Sequence, residues 1–308
     1  MDRSTLTLIV TYNRLSDLKI CVEAVRKQTY RGFNILVVNN GSTDGTKEWL
    51  ARQTDIITIN QENLGGAGGF YTGMKYMYDN GYEWLIMMDD DGIPDKDEIK
   101  NLIQSYDKVV SATGKEVILN ALVADKDNRD YTAFLWARGS KRTNKILELQ
   151  KERFFDDIHP FNGTLVKRSV IDKIGMIKKE MFIWGDEKEY MARAVHNGIG
   201  LYTIPAAIHY HPKEKGKKGN IIPFVSKYQI LVKPQRMSHY YYRNEGFIYN
   251  TYPEKKKHMM AFCVAHMVYN ITHFRFVELA KFIKYFRKGM HNAVSYTHLR
   301  AHETDQYL

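Results

Sequence analysis

Trp84-Leu85-Ile86-Met87-Met88-Asp89-Asp90-Asp91-Gly92 sets five apolar residues directly against three carboxylates and a glycine. A short apolar run stopped by such a turn reads as a strand buried on both faces. Carboxylates crowded at its end repel one another unless a cation or hydrogen-bond donors offset their charge. The same pattern recurs upstream. Leu6–Thr11 (LTLIVT) is a buried-strand run, followed by Leu15, Leu18, Val22 and Val25 on one helix face, with Ser16 or Asp17 placed to cap it. Asn34–Val38 (NILVV) is a second run and ends in Asn39–Gly45. Asp55–Ile59 is a third and ends at Asn60, after which a glycine-rich segment leads into a helical pattern to about Asn80. Strand alternating with helix predicts an α/β fold with a mainly parallel central sheet. Such sheets bind ligands at the carboxyl ends of their strands, where Asn39–Asp44, Asn60–Gly69 and Asp89–Asp91 fall.

The rest of the chain bounds this reading. Its 308 residues, 44% hydrophobic and 26% charged, exclude collagen-like and disordered classes. Two cysteines, Cys21 and Cys263, stand far apart, so a disulfide framework or a cysteine metal site is not expected, and a reducing compartment is. The apolar run Leu6–Val10 is too short for a signal peptide, and no apolar stretch reaches the length of a membrane-spanning helix. The net charge of +10 is unevenly placed: His211–Leu308 holds 17 Lys+Arg against 6 Asp+Glu, while the first 210 residues are nearly neutral. Such a basic region suits an anionic membrane, nucleic acid or a polyanionic substrate, or else a solvated surface. Pro212–Gly219 (PKEKGKKG) reads as a flexible loop. In the aromatic, basic segment beyond Ser238, Phe276, Leu279, Ala280, Ile283 and Phe286 share one helix face beside Lys281, Lys284 and Lys288. The last stretch, Ala293–Leu308, breaks the helical pattern and reads as a non-native tail.

Four groups of residues can carry chemistry. Asp89–Asp91 offer hard oxygen ligands for Mg²⁺ or Mn²⁺, or else an acidic first turn for a helix near Pro94–Gln104. Asn63–Phe70 (NLGGAGGF) permits close backbone approach to an anionic or sugar ligand at a helix start, or is a glycine-rich turn. A dinucleotide-binding glycine motif should follow the first strand, where Thr11-Tyr12-Asn13-Arg14 stands instead, and no GKS or GKT follows the glycines. Trp184–Tyr190 (WGDEKEY) with Arg193 clusters acids that can yield a general base, or a first turn with surface ion pairs. His209 and His211 alternate in a strand-like segment, which turns both rings to one side as candidate metal ligands or phosphate donors.

Taken in order, VTYNR, VVNNGSTDGT, NLGGAGGF, MMDDDG, FNGTLVKRSVIDKIG and FIWGDEKEYMARA, followed by a histidine segment, resemble an inverting family 2 glycosyltransferase of the GT-A, Rossmann-like fold. The resemblance runs from about Leu6 to Pro212, with a weaker match through Tyr240–Asn244 (YYYRN), and is most similar to the galactofuranosyltransferase branch, with rhamnosyltransferases next. It implies a catalytic domain over 1–212; charge and helical pattern divide the remainder into a basic segment over 213–237, a helical C-terminal region over 238–292 and the tail 293–308. It further implies a nucleotide-sugar donor, UDP-galactofuranose first and dTDP-rhamnose as rival. Thr11, Tyr12, Arg14, Asn39, Asn63, Gly65, Gly66, Gly68 and Gly69 match the donor site, Asn39 standing where many relatives carry Asp. Asp89 and Asp91 match the Mn²⁺ or Mg²⁺ ligands, with Asp90 towards the sugar or ribose. His209, with His211 as alternate, matches the metal or diphosphate histidine. Trp184 and Asp186 match the acceptor segment, and Glu187 or Asp186 the base. The implied acceptor is a growing glycan, free or lipid-linked, met in the cytoplasm or at the inner face of the membrane; no nucleic-acid partner is expected. A nucleotidyltransferase and a non-catalytic nucleic-acid- or glycan-binding protein are the rival classes. Neither has its signature here: no glycine-rich basic loop follows the first strand, and no nucleic-acid module is recognisable.

Overall fold

The computed structural model describes residues 4–138, 141–213, 218–223, 225 and 228–291. The expected loop Pro212–Gly219 is thus described only at its ends, and the tail 293–308 lies outside the described residues. The elements in chain order are β1 (Thr5–Thr11), α1 (Leu15–Arg26), β2 (Phe33–Asn39), α2 (Thr46–Leu50), β3 (Ile56–Asn60), α3 (Gly65–Asp79), β4 (Trp84–Asp89), β5 (Ile93–Pro94), α4 (Glu98–Thr113), β6 (Val117–Asp125), β7 (Tyr131–Arg138), β8 (Lys141–Lys145), α5 (Ile146–Leu149), β9 (Asn162–Lys167), α6 (Arg168–Ile174), α7 (Asp186–His196), β10 (Gly200–His211), β11 (Lys218–Asn220), β12 (Gln229–Leu231), α8 (Ser238–Thr251), α9 (Pro253–Thr272) and α10 (Phe276–Met290). They divide into two compact units. One falls within Met1–Lys179 and Asn197–Glu214, the other within Glu180–His196 and Lys215–Arg300.

In the first unit, ten strands form one sheet in the order β3-β2-β1-β4-β9-β6-β10-β5, with β7 beside β6 and β8 beside β7. The four strands that carry the N-terminal motifs are parallel, as their alternation with helices requires. The expected mainly parallel sheet is mixed farther along: β6 and β10 are parallel, but β9 runs antiparallel between β4 and β6. Every residue of β1 is buried, and Ile9, Leu18, Val22, Ile86 and Met88 share one core, as apolar runs covered on both faces by helices must.

Two details depart from local expectation. Neither Ser16 nor Asp17 caps α1. Asp44, in the loop after β2, accepts the Leu15 N–H at 2.9 Å, a cap supplied from 29 residues away. The glycine segment does not merely precede a helix; α3 begins at Gly65 and lies against β1. A Cβ on Gly69 would stand 2.4 Å from Val10 Cγ1, and one on Gly68 2.4 Å from Leu64 Cβ, whereas one on Gly66 meets nothing within 4 Å. Packing therefore accounts for Gly68 and Gly69.

In the second unit, α8, α9 and α10 pack around an aromatic cluster of Tyr242, Tyr249, Phe282 and Phe286, with Phe262 against it. The helix face expected on α10 is divided: Phe286 is buried and Leu279 packs on the cluster, while Phe276 and Ile283 are exposed. No described helix is long and apolar enough to cross a membrane.

The Gly69 contact gives a stability test. Gly69→Ala forces the stiff Val10 side chain to move and is expected to destabilise the protein by about 1–3 kcal/mol in urea denaturation. Gly66→Ala, with open space around it, is expected to be neutral or slightly stabilising.

Candidate functional site

Parallel register lines up polar residues along one edge of the first unit's sheet. Asn60 is paired with Asn39, Asn39 with Thr11, and Val10 with Asp89, so the carboxyl ends of β3, β2, β1 and β4 lie side by side. The acid turn after β4 is answered from β1 and from the loop after it. Thr11 Oγ1 donates to Asp90 Oδ2 at 2.7 Å, and the Tyr12 N–H also donates to Asp90. Arg14 Nη1 donates to Asp91 Oδ2 at 2.6 Å and reaches Asp90 Oδ1 at 3.4 Å. From β10, His211 Nε2 stands 3.3 Å from Asp91 Oδ1.

These partners separate three chemically identical groups. Burial and the neighbouring charges of Asp91 and Asp90 push Asp89 up to about 7. Burial also raises Asp90 to about 6, against the opposing effect of Thr11 and Arg14. For Asp91, burial is outweighed by His211 and Arg14, which hold it down to about 2; His211 is raised in turn by Asp91, against its own burial. Asp90 is almost completely enclosed and is spent on Thr11 and Arg14.

The two histidines have different fates. His209 is fully buried, with Nδ1 3.0 Å from Glu98 Oε2, and its ring lies against Gly92. It does not join Asp91; His211 does. Glu98, in the first turn of α4, is buried and raised by that burial. Sequence reading does not single out Glu98; the acidic helix start it offers is Asp89–Asp91. The histidine alternation, read as turning both rings to one side, carries no signal for a Glu98 partner. A second group it missed is an aromatic stack beside His211: Phe134 lies 5.5 Å from His211 and stacks on His159 at 4.5 Å, with Trp136 edge-on to His159.

The neighbouring loops are held by amides. Asn40 Nδ2 donates to Gly65 O at 3.0 Å and Asn63 Oδ1 at 3.3 Å, while its Oδ1 accepts from Leu64 N and Gln61 Nε2. Asn39 donates to Asn60 Oδ1 and accepts from the Ser42 N–H, and Asn63 Oδ1 accepts from Gly65 N. Leu64, at the N-cap of α3, gives no side-chain hydrogen bond to the first turn.

Trp184, Asp186 and Glu187 lie in the second unit, at the start of α7. Asp186 is buried, Trp184 and Glu187 are half-buried, and Lys233 Nζ stands 4.6 Å from the centroid of the Trp184 ring. The acids that follow are not surface pairs. Glu189 is fully buried between Arg193 (2.8 Å) and the Tyr252 hydroxyl (2.5 Å), and Lys188 donates to both oxygens of Glu245 on α8.

An acid turn at the carboxyl ends of the strands stands where open α/β sheets bind their ligands. Residues 7–175 match the family described as Glycosyl transferase family 2, and the chain belongs to that family. It is 30% identical over 222 residues to galactofuranosyltransferase GlfT1 of Mycobacterium tuberculosis, covering 69% of this chain and 71% of that one. To dTDP-rhamnosyl transferase RfbF of Shigella flexneri it is 25% identical over 209 residues, covering 67% and 68%. Among solved structures, the mannosyltransferase PcManGT from Pyrobaculum calidifontis in complex with GDP-Man and Mn²⁺ superposes with a TM-score of 0.53 at 14% identity, covering 96% of this chain and 76% of that one. GalNAc-T7 with UDP, GalNAc and Mn²⁺ gives 0.51 at 16% identity, covering 82% of this chain and 51% of that one, so this chain spans about half its length. These two likenesses establish the GT-A-like fold.

The raised Asp89 has a measurable consequence. A carboxyl held near 7 in the folded chain, against 3.8 ordinarily, makes the folded state lose stability as pH rises from about 4 through about 7. In chelator at pH 8, Asp89→Asn is expected to raise Tm by about 2–4 °C, with the gain shrinking as pH is lowered towards 4. An unchanged Tm at pH 8 would show the charge to be already compensated.

Proposed function

We propose that this protein is a metal-dependent inverting glycosyltransferase that moves galactofuranose from UDP-galactofuranose onto a growing bacterial surface glycan or lipid-linked acceptor. The observation that carries the reading is the acid turn after β4, met at the sheet's carboxyl edge by Thr11, Arg14 and His211. The similarity to GlfT1 supports the donor, and that to RfbF makes dTDP-rhamnose the specific rival.

The donor set fits a hard divalent cation. Asp89 is a carboxylate whose charge its surroundings leave undercompensated, and Asp91 and the His211 imidazole adjoin each other. No three His, Cys, Asp or Glu side chains converge as a complete metal cage among the described residues, so oxygens of a bound diphosphate or of water would have to complete the shell of an ion held there. Asp89, Asp91 and His211 would hold Mn²⁺ or Mg²⁺, which when bound neutralises charge on the departing diphosphate. Thr11, Tyr12, Arg14, Asn39, Asn63 and the turn around Gly65 and Gly66 would receive the nucleotide and sugar.

Trp184 would orient the acceptor. Glu187, the more open of the two acids, or Asp186 would take the proton of its hydroxyl as that oxygen bonds to the anomeric carbon. The bond from that carbon to the diphosphate oxygen breaks, UDP departs with the electron pair, and the configuration inverts. The acquired proton passes to solvent.

A lipid-linked acceptor agrees with the surface of the C-terminal helices. Met260, Val264, Met267 and Ile271 make an exposed stripe along α9, and Phe274, Phe276 and Val277 are exposed at the turn into α10. Lys256, Lys257, Lys284, Arg287 and Lys288 are exposed at the helix ends away from that turn. Exposed apolar side chains and cations on the same pair of helices suit the anionic inner face of a membrane.

Calorimetry with UDP, UDP-galactofuranose, UDP-galactopyranose, UDP-glucose and dTDP-rhamnose, in Mn²⁺, Mg²⁺ or chelator, tests the donor. Metal-dependent UDP binding that Asp91→Ala abolishes is expected, with UDP-galactofuranose tightest. Preference for dTDP-rhamnose would replace the donor, and no nucleotide binding to folded protein would defeat the reading. Of Glu187→Gln and Asp186→Asn, the one that removes the base is expected to lower kcat by about 10²–10⁴-fold with UDP affinity kept. For the membrane, Phe274→Ser with Phe276→Ser is expected to weaken sedimentation with phosphatidylglycerol vesicles; equal binding would sink that part.

A further inference from the structure

The backbone ahead of α7 is bent against its own preference. Phe182 (φ 65°), Trp184 (φ 56°) and Gly185 (φ 116°) all lie in the left-handed region within four residues. For a non-glycine residue that conformation costs on the order of 1–2 kcal/mol. Something must hold this segment, and two consecutive residues of α8 do so.

Asn244 is fully buried. Its Nδ2 donates towards Trp184 O at 2.8 Å, Met181 O at 2.9 Å and Ile183 O at 3.1 Å. Its Oδ1 accepts from Arg243 Nη2 at 2.8 Å and Nε at 3.0 Å. Arg243, also buried, donates to Glu180 O at 2.6 Å and Met181 O at 3.1 Å. A guanidinium can only donate and a carbonyl can only accept, so the Asn244 amide has one permitted orientation, and both its ends are saturated there. The side chain thereby gathers the carbonyls of Met181, Ile183 and Trp184 onto one nitrogen. The segment is braced as well by Phe182, which stacks on Tyr240 at 4.6 Å, both rings buried.

We propose that Asn244, oriented by Arg243, is a positioning residue for the acceptor half of the reaction: it locks Phe182–Gly185 in the conformation that presents Trp184, Asp186 and Glu187. This rests on the acceptor and base roles proposed above. It also gives the YYYRN segment a task that the donor site does not use.

The discriminating variant is Asn244→Asp, the same shape with the donor end replaced by an acceptor. A carboxylate oxygen then faces three carbonyl oxygens and releases the segment, while a protonated carboxyl restores one donor. Hydrogen exchange of the amides of 182–187 is expected to accelerate at least about 10-fold in Asn244→Asp, with the amides of β1 and β4 unchanged. UDP affinity is expected to stay within about 2-fold, while kcat/KM for the acceptor falls about 100-fold. The ratio of variant to wild-type activity is expected to rise as pH falls from 8 to 6. Arg243→Lys, which keeps a donor to Asn244 Oδ1, is expected to lose less. Exchange at 182–187 equal to wild type, or acceptor kcat/KM within 2-fold, would overturn the proposal, and so would equal loss of UDP binding and transfer. Should Asn244→Asp not fold, Gly185→Ala reads the same segment, because its Cβ would press on Asn244 Cβ at 3.1 Å. A wild type with no transferase activity would defeat the function reading and leave the exchange result standing for the lock alone.

Discussion

Three carboxylates at the end of a buried strand are the constraint around which the first unit is arranged. β4 is apolar because it is covered on both faces, so Asp89–Asp91 emerge from a low-dielectric interior with little water to screen them. The neighbours respond unequally. Asp90 turns inward onto Thr11 and the Tyr12 N–H, Asp91 is paired by Arg14 and His211, and at Asp89 burial and like charge outweigh the pull of His211 and Arg14. One triplet of identical residues thus contains a structural acid, a paired acid and an acid short of counter-charge.

The second unit solves a different problem with one amide. A chain forced into left-handed conformations at bulky residues needs an external hold, and Asn244 supplies it because an amide carries a donor and an acceptor on opposite ends of a rigid plane. Arg243 settles which end faces which partner. The buried Glu189, between Arg193 and Tyr252, and the Lys188–Glu245 pair then tie the first turns of α7 to α8 and to the start of α9. Acids that look like a solvated helix start in the sequence are largely internal ties.

Much of the fold was readable residue by residue. The runs LTLIVT, NILVV and WLIMM became β1, β2 and β4 in parallel, because apolar length and spacing report burial directly. The reversed β9 was not readable, since a strand's direction depends on the path of the chain and leaves no trace in its composition. Nor was the cap of α1: a local rule proposes Ser16 or Asp17, and Asp44 reaches the position only because β1 and β2 are neighbours.

The order of its motifs carried the family resemblance; by itself the sequence determined which residue types stand at the ends of which strands. That follows from local chemistry: hydrophobic periodicity marks strands, and glycines, amides and carboxylates mark where they stop. Tertiary structure alone decided the division of labour among like residues. His209 went to Glu98 in the core and His211 to Asp91; Gly69 serves packing while Gly66 stays open; Asn244 became a backbone hold. The physical reason is that a titratable or polar group takes its role from the partners and solvent around it, and those come from segments tens of residues away.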